Sequence, residues 1–164
     1  MSAEPLGTLR NPDKAPDELV NRTFRVSTLR GGRARGRVVG GNLTLVAALM
    51  GTPWEIETDG AILLLEDVHE EYYRVDRMLT QLAQGGKFER VAGVAFGYCS
   101  DCPVTGPSLS LGEILQDRLA PLGVPAVAGL AFGHIPKMWT LPIGLEATLD
   151  ADAGTLTYEE AAVV

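Results

Sequence analysis

The sequence AILLLED at residues 61–67 is the stretch that decides the fold. Five apolar residues in a row, followed by two acids, are typical of a strand buried on both faces in the centre of a sheet. The carboxyl ends of such parallel strands form the edge at which open α/β sheets place their chemistry, and Glu66 lies there. We therefore predict a central parallel strand that ends at a candidate functional carboxylate.

Helix and strand patterns alternate downstream of this stretch. Apolar residues at i, i+3, i+4 and i+7 predict an amphipathic helix over residues 74–84, and similar spacing predicts a second helix over 111–119. Apolar runs at 91–98 and 124–129 predict two further strands. Strands that alternate with helices in this way indicate a parallel arrangement.

The C-terminal end carries a hairpin signal. Residues 145–150 and 155–159 both read as strands, and the short segment between them contains Gly154 at a position that needs a positive φ. The predicted fold class is therefore α/β, with a mixed sheet, parallel central strands and a C-terminal β-hairpin.

Upstream of the central strand the pattern is less regular. Residues 1–21 contain three prolines and no helical or alternating period, so we predict an irregular lead-in there and a domain over 22–164. Residues 23–29 alternate well enough for a strand. The glycine-rich stretch 31–41 predicts a turn or a close backbone approach.

A short buried helix is predicted next. Asn42 is a favoured N-cap residue, an apolar run follows at 43–50, and Gly51 and Pro53 end the helix. An amide at the mouth of a glycine-rich turn can also donate to a substrate carboxylate, which a helix N-terminus favours. Helix capping and substrate binding are therefore both open for Asn42.

Composition limits the classes of protein to consider. The chain has 164 residues, of which 46% are hydrophobic, enough for one domain with a core. No run approaches the roughly 20 apolar residues of a membrane-spanning helix, and the first ten residues do not resemble a signal peptide. Two cysteines cannot form the multi-bridge framework of a small secreted domain. We expect a protein of a reducing compartment, the cytoplasm, with no membrane partner.

The charge is unevenly distributed. Residues 1–40 hold eight Lys and Arg against four Asp and Glu, whereas residues 41–164 hold six against seventeen. The arginine-glycine segment 30–37 could suggest a nucleic-acid arm. Only Phe24 lies near it as a stacking platform, and the acidic remainder would repel a polyanion. We therefore expect no nucleic-acid partner and interpret the segment as a solvated linker.

Two side chains are candidates for acid–base chemistry. Glu66 ends the central strand, and His134 lies in a loop that Gly133 and Pro136 constrain at the end of another predicted strand. Taken singly, a strand-end glutamate is ordinarily a surface acid and a loop histidine is ordinarily structural. From neighbouring parallel strands, however, the two can meet as the orienting acid and the general base of a catalytic triad.

A triad also needs a nucleophile, and no candidate has the required setting. The sequence contains no G-x-S-x-G motif, and Ser100 lies in a segment without the strand-to-helix signature of a nucleophile elbow. The triad therefore looks incomplete on this chain.

The pair Cys99 and Cys102 has several interpretations. A thioredoxin-like redox motif is disfavoured because Pro103 and Pro107 follow where a helix should begin. A zinc site would need both cysteines and both histidines to converge, which their spacing does not resemble. The simplest prediction is two small residues around a tight loop, with no metal and no cofactor.

Five motifs occur in a characteristic order along the chain. They are Gly40-Gly41-Asn42-Leu43, Gly51-Thr52-Pro53, Leu64-Leu65-Glu66-Asp67, Arg74 to Leu82, and Phe132-Gly133-His134. In order and spacing they resemble the LD-carboxypeptidase family, a family of serine peptidases. The resemblance covers roughly residues 30–160, and the combination is far more specific than any one motif.

The resemblance implies a fold and an activity. It implies a swivelling β/β/α domain from a cytoplasmic Ser-His-Glu peptidase that removes the terminal D-alanine of murein tetrapeptide in peptidoglycan recycling. A related branch cleaves microcin-type peptide-nucleotides. Glu66 falls on the family's triad acid, His134 falls on its base, and Asn42 falls where relatives contact substrate. Cys102, near Asp101, also matches a family loop.

The same resemblance implies what this sequence lacks. The family places its serine and oxyanion hole on a preceding N-terminal domain, and residues 1–21 fall where its interdomain linker begins. That domain is the expected partner, the isolated chain is expected to be inactive, and the dimeric state of the family is expected to survive. The alternative is a non-enzymatic peptide-binding or dimerisation module, but the presence of both Glu66 and His134 favours the peptidase.

Overall fold

The computed structural model describes residues 7–10, 25–104, 106–136 and 138–162. They form an eight-stranded mixed sheet with helices between the parallel strands. The strands are β1 Gly7–Leu9, β2 Ser27–Arg30, β3 Arg33–Asn42, β4 Ile62–Val68, β5 Gly93–Ser100, β6 Ala126–Ala128, β7 Glu146–Asp150 and β8 Thr155–Tyr158. The helices are α1 Leu43–Ala48, α2 Tyr72–Gln84 and α3 Leu111–Leu119, and a 3₁₀ turn follows at Ala120–Leu122.

The long strand β3 joins two halves of the sheet, whose order is β1-β8-β7-β3-β4-β5-β6-β2. Its first half, Arg33 to Arg37, pairs antiparallel with β7, and its second half, Val38 to Asn42, pairs parallel with β4. Parallel pairing continues through β5 and β6, and β7 and β8 form the C-terminal hairpin.

Side-chain alternation along β4 builds the three layers. Leu63 and Leu65 belong to the core cluster that contains the buried faces of the three helices. Ile62 and Leu64 belong to a second cluster with the hairpin residues Leu149, Leu156 and Tyr158. Burial of each such leucine stabilises the fold by about 1.5–3 kcal/mol. The predicted α/β class, with parallel central strands, a C-terminal hairpin and a β/β/α layering, is confirmed.

One of the two predictions about the glycine-rich region holds and the other is wrong. The close backbone approach predicted as one alternative for residues 31–41 is found, because a Cβ added at Gly36 or Gly40 would lie 2.2 Å from the carbonyl oxygen of Gly60 or 1.9 Å from that of Leu64. The segment 30–37 was expected to form a solvated linker, but residues 33–37 form the first half of β3. The reason is a period of two, because exposed Arg33, Arg35 and Arg37 alternate with more buried small residues. Nε of Arg33 also forms a salt bridge with Oδ2 of Asp150 in β7 at 2.7 Å. The arginines therefore lie on the solvent-exposed face of a strand.

The predicted irregular lead-in, residues 1–21, contains a strand. β1 pairs antiparallel with β8, with Leu9 opposite Leu156, and Leu9 is buried. The prolines of this segment lie outside the described residues, as does the predicted domain start at residue 22. That boundary stays a prediction. The strand predicted over 23–29 is found, within the described residues, as β2 from Ser27.

Candidate active site

Glu66 is positioned by the period of β4. Glu66 directly follows the apolar run, and its side chain lies on the same face as that of Leu64, two residues earlier. Its backbone is opposite Asn42 of β3 in the parallel register. The side chain of Glu66 is only 9% exposed. A carboxylate buried to this extent needs a partner.

His134 supplies that partner. The chain leaves β6 at Ala128 and returns over the end of β4 through Phe132 and Gly133. Gly133 has a φ of +106° and lies so close to Glu66 that a Cβ there would be 2.8 Å from Glu66 Oε2. The next residue then places His134 Nδ1 at 2.8 Å from Glu66 Oε2.

The direction of this hydrogen bond fixes the tautomer of the imidazole. An ionised carboxylate can only accept, so Nδ1 of His134 carries the proton and donates it to Glu66. Nε2 is then left as the basic nitrogen, on a side chain that is 55% exposed. The structure therefore brings together the two residues predicted to act as acid and base, in the arrangement in which a carboxylate orients a general base.

Asn42 caps α1, as predicted. Its Oδ1 accepts from the backbone N–H of Leu45 at 3.1 Å, and its Nδ2 donates to Asp67 Oδ1 at 3.0 Å. Both ends of the amide are therefore held, and its orientation is fixed. A contact between Asn42 and substrate stays a prediction.

Asp67 is a residue that the sequence reasoning missed. It is 2% exposed, and its carboxylate also accepts from the backbone N–H of Thr44 at 3.0 Å, from Thr44 Oγ1 at 2.9 Å and from the N–H of Val68 at 2.8 Å. The sequence did contain a signal for Asp67, because it is the second acid of AILLLED. Consecutive side chains of a strand point to opposite faces of the sheet, so Asp67 must lie on the face opposite Glu66. Asp67 thus anchors the N-terminus of α1 and the Asn42 amide together.

A cavity of about 620 Å³ opens beside the Glu66–His134 pair. Its walls are mainly apolar and come from the loop after β6, with Met138, Trp139 and Ile143 each well exposed at its rim. The hydroxyl of Tyr158 donates to the carbonyl of Pro142 at 3.0 Å and holds this loop to the hairpin. Burial raises the pKa of Tyr158 to about 12, so the hydroxyl remains a donor at neutral pH.

A second groove of about 380 Å³ adjoins the first across Gly41. It is lined by Asn42 and by apolar side chains of α1 and the following loop, among them Leu45 and the 79% exposed Trp54. The two grooves together form a cleft across the carboxyl ends of β3 and β4, with Asn42 in one part and Glu66 and His134 in the other.

The described part of the chain places no nucleophile beside Glu66 and His134. Among the described residues that line the larger cavity, none is a serine, threonine or cysteine. Ser110 caps α3 in a capping box with Glu113, and Ser100 Oγ is buried at the end of β5. Glu66 and His134 therefore lie at a cavity whose described lining offers no hydroxyl or thiol to activate.

The two cysteines are joined by a disulfide between Cys99 and Cys102. The prediction of two small residues around a tight loop was therefore incomplete, because it missed the bond between them. Within the described part of the chain, no three His, Cys, Asp or Glu side chains converge as a metal-ligand set. None of the described helices is long and apolar enough to cross a bilayer.

The chain is similar to a known family and to several curated proteins. The family described as LD-carboxypeptidase C-terminal domain matches residues 35–149. A putative carboxypeptidase of Synechocystis is 48% identical over 129 residues, which are 77% of this chain and 43% of the relative. The probable murein peptide carboxypeptidase of Bacillus subtilis is 42% identical over 78% of this chain and 41% of its own length.

A solved structure extends the comparison to the fold. The muramoyltetrapeptide carboxypeptidase from Oxalobacter formigenes superimposes with a TM-score of 0.74 at 32% identity, over 88% of this chain and 53% of that one. The chain spans less than half the length of the Synechocystis and Bacillus relatives.

Proposed function

Because the chain belongs to the LD-carboxypeptidase family and corresponds to its C-terminal domain, we propose that it supplies the acid and base of a serine-type peptidase. The observation that carries the proposal is the 2.8 Å hydrogen bond from His134 Nδ1 to Glu66 Oε2 beside the larger cavity. Glu66 holds the imidazole and stabilises its cation, and His134 Nε2 exchanges the proton.

The nucleophile comes from a preceding domain in this proposal. A serine hydroxyl from that domain enters the cavity, His134 takes its proton, and the oxygen attacks the carbonyl before the terminal D-alanine of a murein tetrapeptide. His134 then gives the proton to the leaving amine, and water, activated by the same imidazole, hydrolyses the acyl-enzyme. This route needs no metal or cofactor.

Exposed apolar side chains support the need for a covering domain. Met138, Trp139 and Ile143 are 60%, 41% and 57% exposed, and they surround the cavity into which the nucleophile must reach. A preceding domain packed on this rim would exclude water from the reacting groups, which strengthens their electrostatic interactions. We place the substrate peptide in the cleft with its carboxylate towards Asn42.

The wider setting is part of the same proposal. For a muropeptide-recycling role we place the protein in the cytoplasm, and we expect it to form a homodimer. The relatives that act on murein peptides support the substrate class.

Grafting tests the proposal. The chain replaces the matching C-terminal region of the Synechocystis relative, and D-alanine release from murein tetrapeptide is measured for the chimera and for the isolated chain. We expect release by the chimera and none by the isolated chain. In the chimera, His134→Ala and Glu66→Gln should each lower turnover by about 10⁴-fold, the scale on which triad members act.

Each contrary result has a definite meaning. Release by the isolated chain would place a nucleophile on it, whereas release that survives His134→Ala would remove the histidine from the mechanism. A folded chimera without release, together with tetrapeptide binding by the isolated chain, would favour a peptide-binding module. Circular dichroism of every variant controls for folding.

A further inference from the structure

The disulfide between Cys99 and Cys102 closes a four-residue ring where β5 leaves the sheet. Inside the ring, Asp101 has a φ of +51°, and His69 in the adjoining loop after β4 has a φ of +58°. The backbone N–H of His69 donates to the carbonyl of Ser100 at 2.9 Å. Two residues in the left-handed region therefore meet at one strand end, and such conformations persist only where the surroundings impose them.

Little else holds the chain beyond the ring. Apart from Thr105, which is not among the described residues, positions 103–110 are all exposed. Segments with few buried contacts open at low free-energy cost. The disulfide is therefore a covalent constraint on the point where this exposed segment joins β5, in addition to the hydrogen bond from His69 to Ser100.

The ring adjoins both parts of the candidate active site. Cys99 is opposite Asp67 in the β4–β5 register, and Asp67 holds the amide of Asn42 and the N-terminus of α1. One residue earlier, the backbone N–H of Tyr98 donates to the carbonyl of Phe132 at 3.2 Å, two residues before His134. The end of β5 thus lies between the anchor of Asn42 and the loop that carries His134.

We propose that Cys99 and Cys102 form a reversible thiol–disulfide site, and that its redox state controls the order of this strand end and of the Asp67 anchor. A dithiol reductant attacks one sulfur and forms a mixed disulfide, and its second thiol then displaces the protein thiol. The products are two cysteine thiols and the oxidised, disulfide form of the reductant, so electrons and protons balance.

Two features favour reversibility. Cys99 and Cys102 are themselves half-buried, but Asp101 and Pro103 on either side of Cys102 are exposed, so a reductant can approach the ring from the side of Cys102. A ring of four residues also gains little from loop closure, since the entropic stabilisation by a disulfide grows with ring size. Disulfides that a reductant can reach are the labile and regulatory ones. α3 starts only at Leu111, so the pair lacks the helix of a thioredoxin-type enzyme and is a target of exchange.

Redox titration of the whole chain tests the first part. The protein is equilibrated in buffers with varied ratios of reduced to oxidised dithiothreitol, without denaturant, and the thiols are alkylated and counted by mass spectrometry. We expect a single transition from no alkylated cysteine to two, which reverses on reoxidation. Resistance to reduction until the protein unfolds, or free thiols in protein equilibrated with the oxidised reagent, would overturn the proposal.

Amide hydrogen exchange tests the second part. The backbone N–H groups of Thr44 and Leu45 are bound by the side chains of Asp67 and Asn42, so they report directly on the anchor. Reduction should speed their exchange on the order of tenfold while α2 is unchanged. The variant Cys99→Ser/Cys102→Ser should show the faster rates in both buffers. Unchanged rates at Thr44 and Leu45 in the reduced protein would refute control of the anchor.

Discussion

Substitution of Gly133 by alanine should break the hydrogen bond between His134 and Glu66, because the added Cβ would displace the Glu66 side chain. The glycine has a φ of +106°, and an added Cβ would lie 2.8 Å from Glu66 Oε2 and 3.0 Å from Glu66 Cβ. The carboxylate must therefore move away from the position at which it accepts from His134. Gly144 in the same loop region is the matched control, because its φ is +94° and nothing lies within 4 Å of its added Cβ.

The two variants share one cost and differ in another. Alanine in the left-handed region costs about 1–2 kcal/mol at either position. At Gly133 the hydrogen bond to the carboxylate is also lost, and bonds to charged groups contribute about 1.5–3 kcal/mol. Because His134 is half exposed, we take the low end of that range. Gly133→Ala should therefore destabilise the protein by about 3 kcal/mol, and Gly144→Ala by about half as much.

Urea unfolding at pH 7 measures both free energies. The difference between the variants, rather than either value, is the diagnostic quantity, because the backbone term cancels. Nitrogen-15 spectra of the imidazole add a local measurement, in which Gly133→Ala should lose the Nδ1–H tautomer that Glu66 imposes on His134. Equal stabilities for the two variants, with the tautomer intact, would refute the inference that Gly133 fixes the pair.

Two further predictions concern the sheet. Gly40→Ala should destabilise the protein by about 3 kcal/mol or more, because its added Cβ would lie 1.9 Å from the carbonyl oxygen of Leu64 in the neighbouring strand. Gly41→Ala is the control, because nothing lies within 4 Å of its added Cβ, and it should cost about 1–2 kcal/mol. Urea unfolding measures both variants. The pKa of Asp150 is lowered chiefly because the backbone N–H of Ala153 donates to it, so its stabilisation is complete above about pH 4 and is lost as pH falls through the lowered folded-state pKa. Asp150→Asn should therefore lower the unfolding midpoint at pH 7 and leave it nearly unchanged in strong acid, and a constant difference across pH would contradict this linkage.

Local patterns predicted the central part of the molecule well. The apolar run of β4 and the i, i+3, i+4, i+7 spacing of α2 predict these elements because each element only has to bury its apolar side chains. Any compact fold provides neighbouring layers that do so. The N-cap at Asn42 was equally readable, because capping is completed within three residues. The sequence could predict only that Glu66 and His134 would be able to meet if their strands were neighbours in the sheet. It could not predict the contact itself, since 68 residues separate the two.

Long-range partners explain what the sequence did not predict. The arginines of β3 suggest a linker when they are considered alone, although they alternate with small residues, and β7 supplies Asp150 and Glu146 as their partners across the sheet. β1 pairs with β8, although Thr8 and Thr157 are 149 residues apart in the sequence, and its Leu9 enters the core beside Leu156. In both cases the deciding contact is a long-range strand pairing, and β propensity depends on such neighbours more than on the segment itself.

The two acids that end β4 have opposite tasks because consecutive strand residues face opposite layers. Glu66 continues the face of Ile62 and Leu64 and meets His134 at the cavity, whereas Asp67 continues the face of Leu63 and Leu65 and meets the first turn of α1. Glu66 accepts one hydrogen bond, from the half-exposed His134, and lies beside an open cavity, so it is placed to orient the imidazole. Asp67 is buried and accepts four hydrogen bonds, so displacing its carboxylate would break the contacts that hold Asn42 and the N-terminus of α1. The step of one residue along β4 therefore lets one strand hold both the Glu66–His134 pair and the Asn42 amide.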